Sequence, residues 1–159
     1  MKLDMGCNSN KPEGYIGCDI RYFKYPKGEF VKCDINNKLP FKDNSFEEVR
    51  AMQVIEHIDN KNKVSFMNEV YRILEYGGIF IAEFPPPVCG DGNISGSFFT
   101  DPTHCSWWMP GSFMCFCASF RFKEKLESLY EGYGINTNFE IVDNHWINNI
   151  LFHIELKKY

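Results

Sequence analysis

Short apolar runs separated by polar turns dominate the first half of the chain, the pattern of a parallel α/β sheet. They predict β-strands at Lys2–Met5, Tyr15–Asp19, Phe30–Asp34, Glu47–Met52 and Ile79–Phe84. The last run, Ile79-Phe80-Ile81-Ala82-Glu83-Phe84, is nearly continuous in apolar residues, as expected of a strand covered on both faces. Val64, Met67, Val70, Tyr71 and Leu74 recur at helical spacing and predict a helix over residues 60–75 with one buried stripe. Asp59 or Asn60 is placed to cap its start by accepting orphan backbone N–H bonds. Gly77-Gly78 is placed to stop it, and Pro85-Pro86-Pro87 keeps the following strand from continuing.

Residues 88–112 form a long loop rich in Gly, Ser and aromatic residues, longer than a connection needs. A helical stretch begins near Pro110, a favourable first helical position, in the segment leading to Tyr133. Asn138–Asp143 and Ile150–Leu156 alternate like a closing antiparallel pair. The fold class this predicts is α/β, with a doubly wound, mostly parallel sheet and an antiparallel C-terminal strand pair. Residues 1–159 form a single domain of three segments: 1–87 with the predicted parallel strands, 88–118 with the long loop and helix start, and 119–159 as a closing segment.

Composition narrows the class. An apolar share of 44% with 16% aromatics excludes disorder, and a net charge of −4 without a basic stripe argues against a nucleic-acid partner. No apolar run approaches membrane-span length, and Met1 leads almost at once into a core strand rather than a signal peptide. The seven cysteines are an odd number scattered among apolar neighbours, which reads as reduced thiols and a cytoplasmic location.

The chemistry concentrates at strand ends. Gly6, in Leu3-Asp4-Met5-Gly6-Cys7-Asn8, lets backbone approach a ligand, and Asp4 can accept a hydrogen bond. Asp19 and Asp34 close the next two strands. A glycine turn followed by two such acids suits a ligand carrying a ribose and an adenine. The dinucleotide fingerprint needs two further glycines opening a helix, whereas Ser9-Asn10-Lys11-Pro12-Glu13 follows here, which disfavours NAD or FAD.

Five segments in order carry a family likeness: Leu3-Asp4-Met5-Gly6-Cys7-Asn8; Gly17-Cys18-Asp19-Ile20; Lys32-Cys33-Asp34-Ile35 with Leu39-Pro40-Phe41; Phe46-Glu47-Glu48-Val49 through Val54-Ile55-Glu56-His57-Ile58; and Asn68-Glu69-Val70-Tyr71-Arg72-Ile73-Leu74-Glu75-Tyr76-Gly77-Gly78. The chain thereby resembles the class I S-adenosylmethionine-dependent methyltransferases, in particular the small methyltransferase-domain group with bacterial and phage members. The resemblance implies S-adenosylmethionine as cofactor. Gly6 and Cys7 would present backbone to its methionine portion, with Asp4 and Asn8 in the same loop. Asp19 would hold the ribose hydroxyls and Asp34 the adenine amino group. Ile35 and Ile20 would pack on the ring faces, and Gln53 would lie near the transferring methyl. Asn8 stands where the family often has a third glycine, and both the first helix and the N-terminal helices look abbreviated. That leaves a flank of the cleft for a second subunit or another protein to cover.

Candidates for an acceptor-site base are His57, His104 and Asp101, the last two in the long loop. For His57 the structural alternative is a Glu56-His57 loop cap; for His104 it is a bond that pins the loop. Phe98, Phe99, Trp107, Trp108 and Met109 would form either an aromatic acceptor wall or a hydrophobic cluster under the loop. Phe113, Phe116 and Phe120 read as core. Cys89, His104, Cys105, Cys115 and Cys117 lack the paired spacing of zinc sites, so no metal is expected. The implied activity is methyl transfer to an unidentified acceptor, a small molecule being favoured. The alternative is a non-catalytic module of the same fold, acting through cofactor or protein binding.

Overall fold

The computed structural model describes residues 1–159, and its centre is one seven-stranded sheet. The strands are β1 (Lys2–Met5), β2 (Tyr15–Asp19), β3 (Phe30–Lys32), β4 (Phe46–Met52), β5 (Leu74–Phe84), β6 (Phe139–Ile147) and β7 (Leu151–Lys158). Their order is β3-β2-β1-β4-β5-β7-β6. β1 to β5 are parallel, whereas β7 lies antiparallel between β5 and β6. The order reverses between β1 and β4, so a crevice opens beyond the carboxyl ends of these strands, the usual ligand position in such sheets.

The two faces of the sheet differ in chemistry. Leu3, Met5, Val49, Ala51, Phe80, Ala82, Phe84, Ile154 and Leu156 point to one face and are fully buried there. Helix α1 (Lys63–Ile73) covers this face with Phe66, Met67, Val70 and Ile73. The C-terminal turns add Phe113 and Phe116, with Phe120 half-buried against them. The opposite face presents Lys2, Asp4, Tyr15, Glu48, Arg50, Glu83, His153, Glu155 and Lys157, most of them half-exposed. No helix packs on these residues; they pair with each other. Lys2 reaches Glu48 at 2.8 Å, Arg50 reaches Asp4 at 2.7 Å, Tyr15 donates to Glu48, and His153 bridges Glu83 and Glu155 at 3.1 and 3.3 Å. Ile79 and Ile81 also lie half-exposed on this side, so β5 is covered on one face only. Their register partners Lys157 and Glu155 stand beside them in place of a second helix layer.

Several local elements differ from the pattern-based expectation. The helix begins three residues later than its signal, because a 3-10 turn at Asn60–Asn62 precedes it, and neither Asp59 nor Asn62 makes a side-chain cap bond. It ends at Ile73, where Leu74 turns extended (φ −67°, ψ 139°) and enters the sheet. Gly77-Gly78 therefore does not stop the helix. The pair sits in a bulge of β5, between the Phe46–Leu74 and Glu48–Ile79 pairings, with Gly77 at φ +82°. The helical stretch does begin at Pro110, as a 3-10 turn over Pro110–Phe116 followed by α3 (Ala118–Lys123) and α4 (Glu127–Gly132), with α2 (Gly96–Phe99) earlier in the loop. Lys125 in the left-handed region (φ +56°) separates α3 from α4.

No helix follows β1. The loop from Gly6 to Gly14 is tied down by the Tyr25 hydroxyl, which donates to the Asn8 carbonyl (3.0 Å) and accepts from the Lys11 N–H (3.0 Å). The Lys11 side chain, 4% exposed, pairs with Glu29 at 3.0 Å. A neighbouring clamp holds the adjoining loop. Arg72 bonds Glu69, Asp43 and the carbonyls of Leu39 and Phe41, while Glu69 accepts the Leu39 N–H at 2.8 Å.

Candidate functional site

A cleft of about 770 Å³ opens over the carboxyl ends of β1, β2 and β4, within the range of small-ligand sites. Its lining brings together Asp4, Gly6, Cys7, Asn8, Asp19, Ile20, Asp34, Ile35, Gln53 and His57 from the sequence-based candidates. His104 and Asp101 are not in that lining.

The floor is the turn after β1. Gly6 has φ +62°, and a Cβ there would meet Val54 Cγ2 at 2.5 Å, so only glycine fits. Asn8 keeps the left-handed geometry (φ +49°) at the position where the family often has glycine; asparagine tolerates it best among other residues. Gln53, at the end of β4, is also left-handed (φ +57°), a strained backbone of the kind that clusters at ligand sites. Burial pushes the Cys7 thiol up to about 11, which leaves it a neutral, unreactive lining group.

Each acid on the cleft is pre-oriented by local donors. Asp19 accepts the Arg21 N–H at 2.9 Å on one oxygen and the Asn8 N–H at 3.2 Å on the other. Asp34 accepts the Asn36 N–H and the Asn37 amide, both at 2.9 Å. A carboxylate offers about four lone-pair sites, so both retain acceptor capacity toward the cleft. Asp4 is buried, and burial raises its pKa while Arg50 partly offsets the rise. One Asp4 oxygen is taken by Arg50.

The far end is built from β4 and the long loop. The rings of His57 and His104 meet edge to face, centroids 4.8 Å apart. His57 Nδ1 lies 3.2 Å from the Thr103 carbonyl, and His104 Nδ1 lies 2.8 Å from the Phe98 carbonyl. A carbonyl only accepts, so each Nδ1 donates to it; His57 Nδ1 also lies 3.1 Å from the Thr103 hydroxyl. Asp101 turns onto Thr103, whose N–H and hydroxyl donate to it at 2.8 and 2.6 Å and hold its carboxyl below the usual range. Its other oxygen stands 3.7 Å from His104 Nε2, so Asp101 organises the loop from outside the cleft. Trp108 is buried, stacks on Phe113 and donates to the Ile55 carbonyl at 2.9 Å; Phe98 is also buried, while Phe99 and Trp107 are exposed. None of these aromatics, nor Met109, lines the cleft; Phe98 and Trp108 pack beneath the loop, whereas Phe99 and Trp107 face outward.

Sequence reasoning missed Asn10, Arg21, Asn36, Arg50, Met52 and Thr103 in the lining. It also passed over Glu56, which lies beside His57 but outside the lining. That side chain is 1% exposed, and neither carboxylate oxygen has a hydrogen-bond partner. Burial pushes its pKa up to about 7.

Residues 15–82 match the family described as a methyltransferase domain. Among solved structures, the fold is similar to a SAM-dependent methyltransferase from Archaeoglobus fulgidus (TM-score 0.63, 20% identity, 99% of this chain and 85% of that one covered). It is also similar to an S-adenosylmethionine-dependent methyltransferase from Mesorhizobium loti (0.64, 11%, 99% and 90%). A third is a Haloferax volcanii methyltransferase solved in complex with the Trm112 methyltransferase activator (0.62, 14%, 99% and 81%). No curated protein matches the chain by sequence. The chain shares the fold of these methyltransferases, and its segment 15–82 resembles the methyltransferase-domain family.

Proposed function

We propose that this protein is an enzyme that transfers the methyl group of S-adenosylmethionine to a small acceptor entering beside His57. The observation that carries the reading is the single cleft in which Gly6, Asp19, Asp34 and His57 stand together. The residues fit the cofactor: a glycine turn with no room for a side chain, two pre-oriented carboxylates with spare acceptor sites, and a cleft of sufficient volume. Asp19 would take a ribose hydroxyl, Asp34 the adenine amino group, Ile35 and Ile20 the ring faces. Gly6, Cys7 and Gln53 would border the methionine portion.

The sulfonium supplies an already activated methyl, so the protein's work is alignment and exclusion of water. Positioning of this kind is worth about 7–11 kcal/mol in well-oriented reactions. His57 lines the cleft with its Nε2 lone pair free, which suits it to take a proton from an acceptor hydroxyl or amine. His104, pinned on Phe98 and packed against His57, acts as a positioning residue in this reading.

The free cysteines suit a reducing compartment such as the cytoplasm, and no helix is long and apolar enough to cross a membrane. The polar face without helices supports a covering partner, either a second copy or another protein; light scattering on the purified chain tests the first. Calorimetry with S-adenosylmethionine and S-adenosylhomocysteine tests the cofactor reading. Release of S-adenosylhomocysteine across a panel of small hydroxyl and amine acceptors tests catalysis.

A further inference from the structure

Glu56 is the least explained side chain in the molecule. It is a buried residue, 1% exposed, with both carboxyl oxygens lacking any donor, next to two imidazoles whose Nδ1 atoms are engaged by backbone carbonyls, His104 Nε2 standing 3.7 Å from Asp101. An unpaired buried carboxyl costs several kcal/mol in a typical interior unless something satisfies it. One ligand atom from each of Glu56, His57 and His104 lies within 4.8 Å of the others. We propose that these three side chains bind a divalent transition-metal ion at the far end of the cleft.

The donor set is two nitrogens and one carboxylate oxygen, which suits ions of the zinc, manganese and iron class rather than calcium or magnesium. Metal–ligand bonds of about 2.0–2.2 Å require the three groups to draw together on the ion. The supports are those a metal site uses. Each histidine donates its other ring nitrogen to a backbone carbonyl, Thr103 for His57 and Phe98 for His104, which fixes both tautomers. The Glu56 carbonyl accepts the N–H groups of Cys105 and Ser106 at 3.0 Å each, which locks the strand end to the loop carrying His104. Of the three, His57 also lines the cleft, so the site adjoins it at that residue.

A second cluster, Asp143, His145 and His153, gives the contrast. It lies on the polar sheet face, and both ring nitrogens of His153 already meet carboxylates, Glu83 and Glu155. Nothing there is orphaned.

The inference stands on these side chains alone and does not depend on methyl transfer, so the test uses metal without cofactor or acceptor. The full chain is stripped with a chelator and titrated with Co²⁺, read by visible absorption, and with Zn²⁺, read by calorimetry. The expected result is about one ion per chain with Co²⁺ ligand-field bands. Affinity should fall at least roughly 100-fold in Glu56→Gln and in His104→Ala, and stay unchanged in His145→Ala. A Zn²⁺-soaked crystal of the unmodified protein, read by anomalous scattering, locates the ion even if a variant fails to fold. No bound ion, an ion at His145 and His153, or equal affinity in Glu56→Gln and the parent would each overturn the proposal.

Discussion

The two ends of the cleft are built on opposite plans. At the cofactor end, the acids sit at the tips of β2 and β3, and their oxygens are held by N–H groups only a few residues away, apart from Asn8. At the far end, Glu56 and His57 come from the 3-10 turn Ile55–His57 after β4 and His104 from the long loop, and the Glu56 carboxyl is held by no donor at all. The first plan makes a pre-oriented hydrogen-bonding surface, suited in the proposed reading to a neutral sugar and base. The second leaves unsatisfied groups that only an incoming species completes. In the proposed reading, chemistry divides along the cleft: recognition at one end, reaction at the other.

Substitutions separate the two plans. The largest effect is expected from Gly6→Ala, which forces a left-handed alanine and drives its Cβ to 2.5 Å from Val54 Cγ2. Strain and overpacking together should cost about 2–4 kcal/mol of stability in urea denaturation and remove cofactor binding. Next, Asp19→Ala should weaken S-adenosylhomocysteine binding about 100-fold by calorimetry, the worth of charged hydrogen bonds lost at a partly dry site. His104→Ala should leave that affinity within about threefold and lower turnover instead, since His104 is outside the cleft lining. Equal losses of binding in Asp19→Ala and His104→Ala would erase the division between the ends. Asp34→Asn should cost about tenfold in affinity, because the amide keeps one acceptor but puts a donor against an amino group. The smallest effect is expected from Tyr25→Phe. Loss of the two bonds to Asn8 and Lys11 should cost about 1 kcal/mol of stability, with a modest loss of cofactor affinity as the loop after β1 loosens.

The same contrast explains what the chain announced in advance. Strands β1 to β5 and the closing hairpin were legible because short apolar runs alternate with turn residues, and the acids of the cofactor end stand in those runs. The bare sheet face was also written in the alternation of Lys2-Leu3-Asp4-Met5 and Glu48-Val49-Arg50-Ala51, although the apolar Ile79–Phe84 run masked it. Gly77-Gly78 misled because glycine serves a helix stop and a bulge equally well; the choice was made by Leu74 entering the sheet beside Phe46. The far end was legible only as isolated candidates. Its geometry depends on contacts of Glu56 and His57 with Thr103, Cys105 and Ser106, far along the chain, which no local spacing encodes.

The most direct measurement is a crystal structure of the chain with S-adenosylhomocysteine. The account predicts adenosine density over Gly6, with a ribose hydroxyl on Asp19 and the adenine amino group on Asp34. A ligand bound elsewhere, or one in the cleft that touches neither carboxylate, would contradict it.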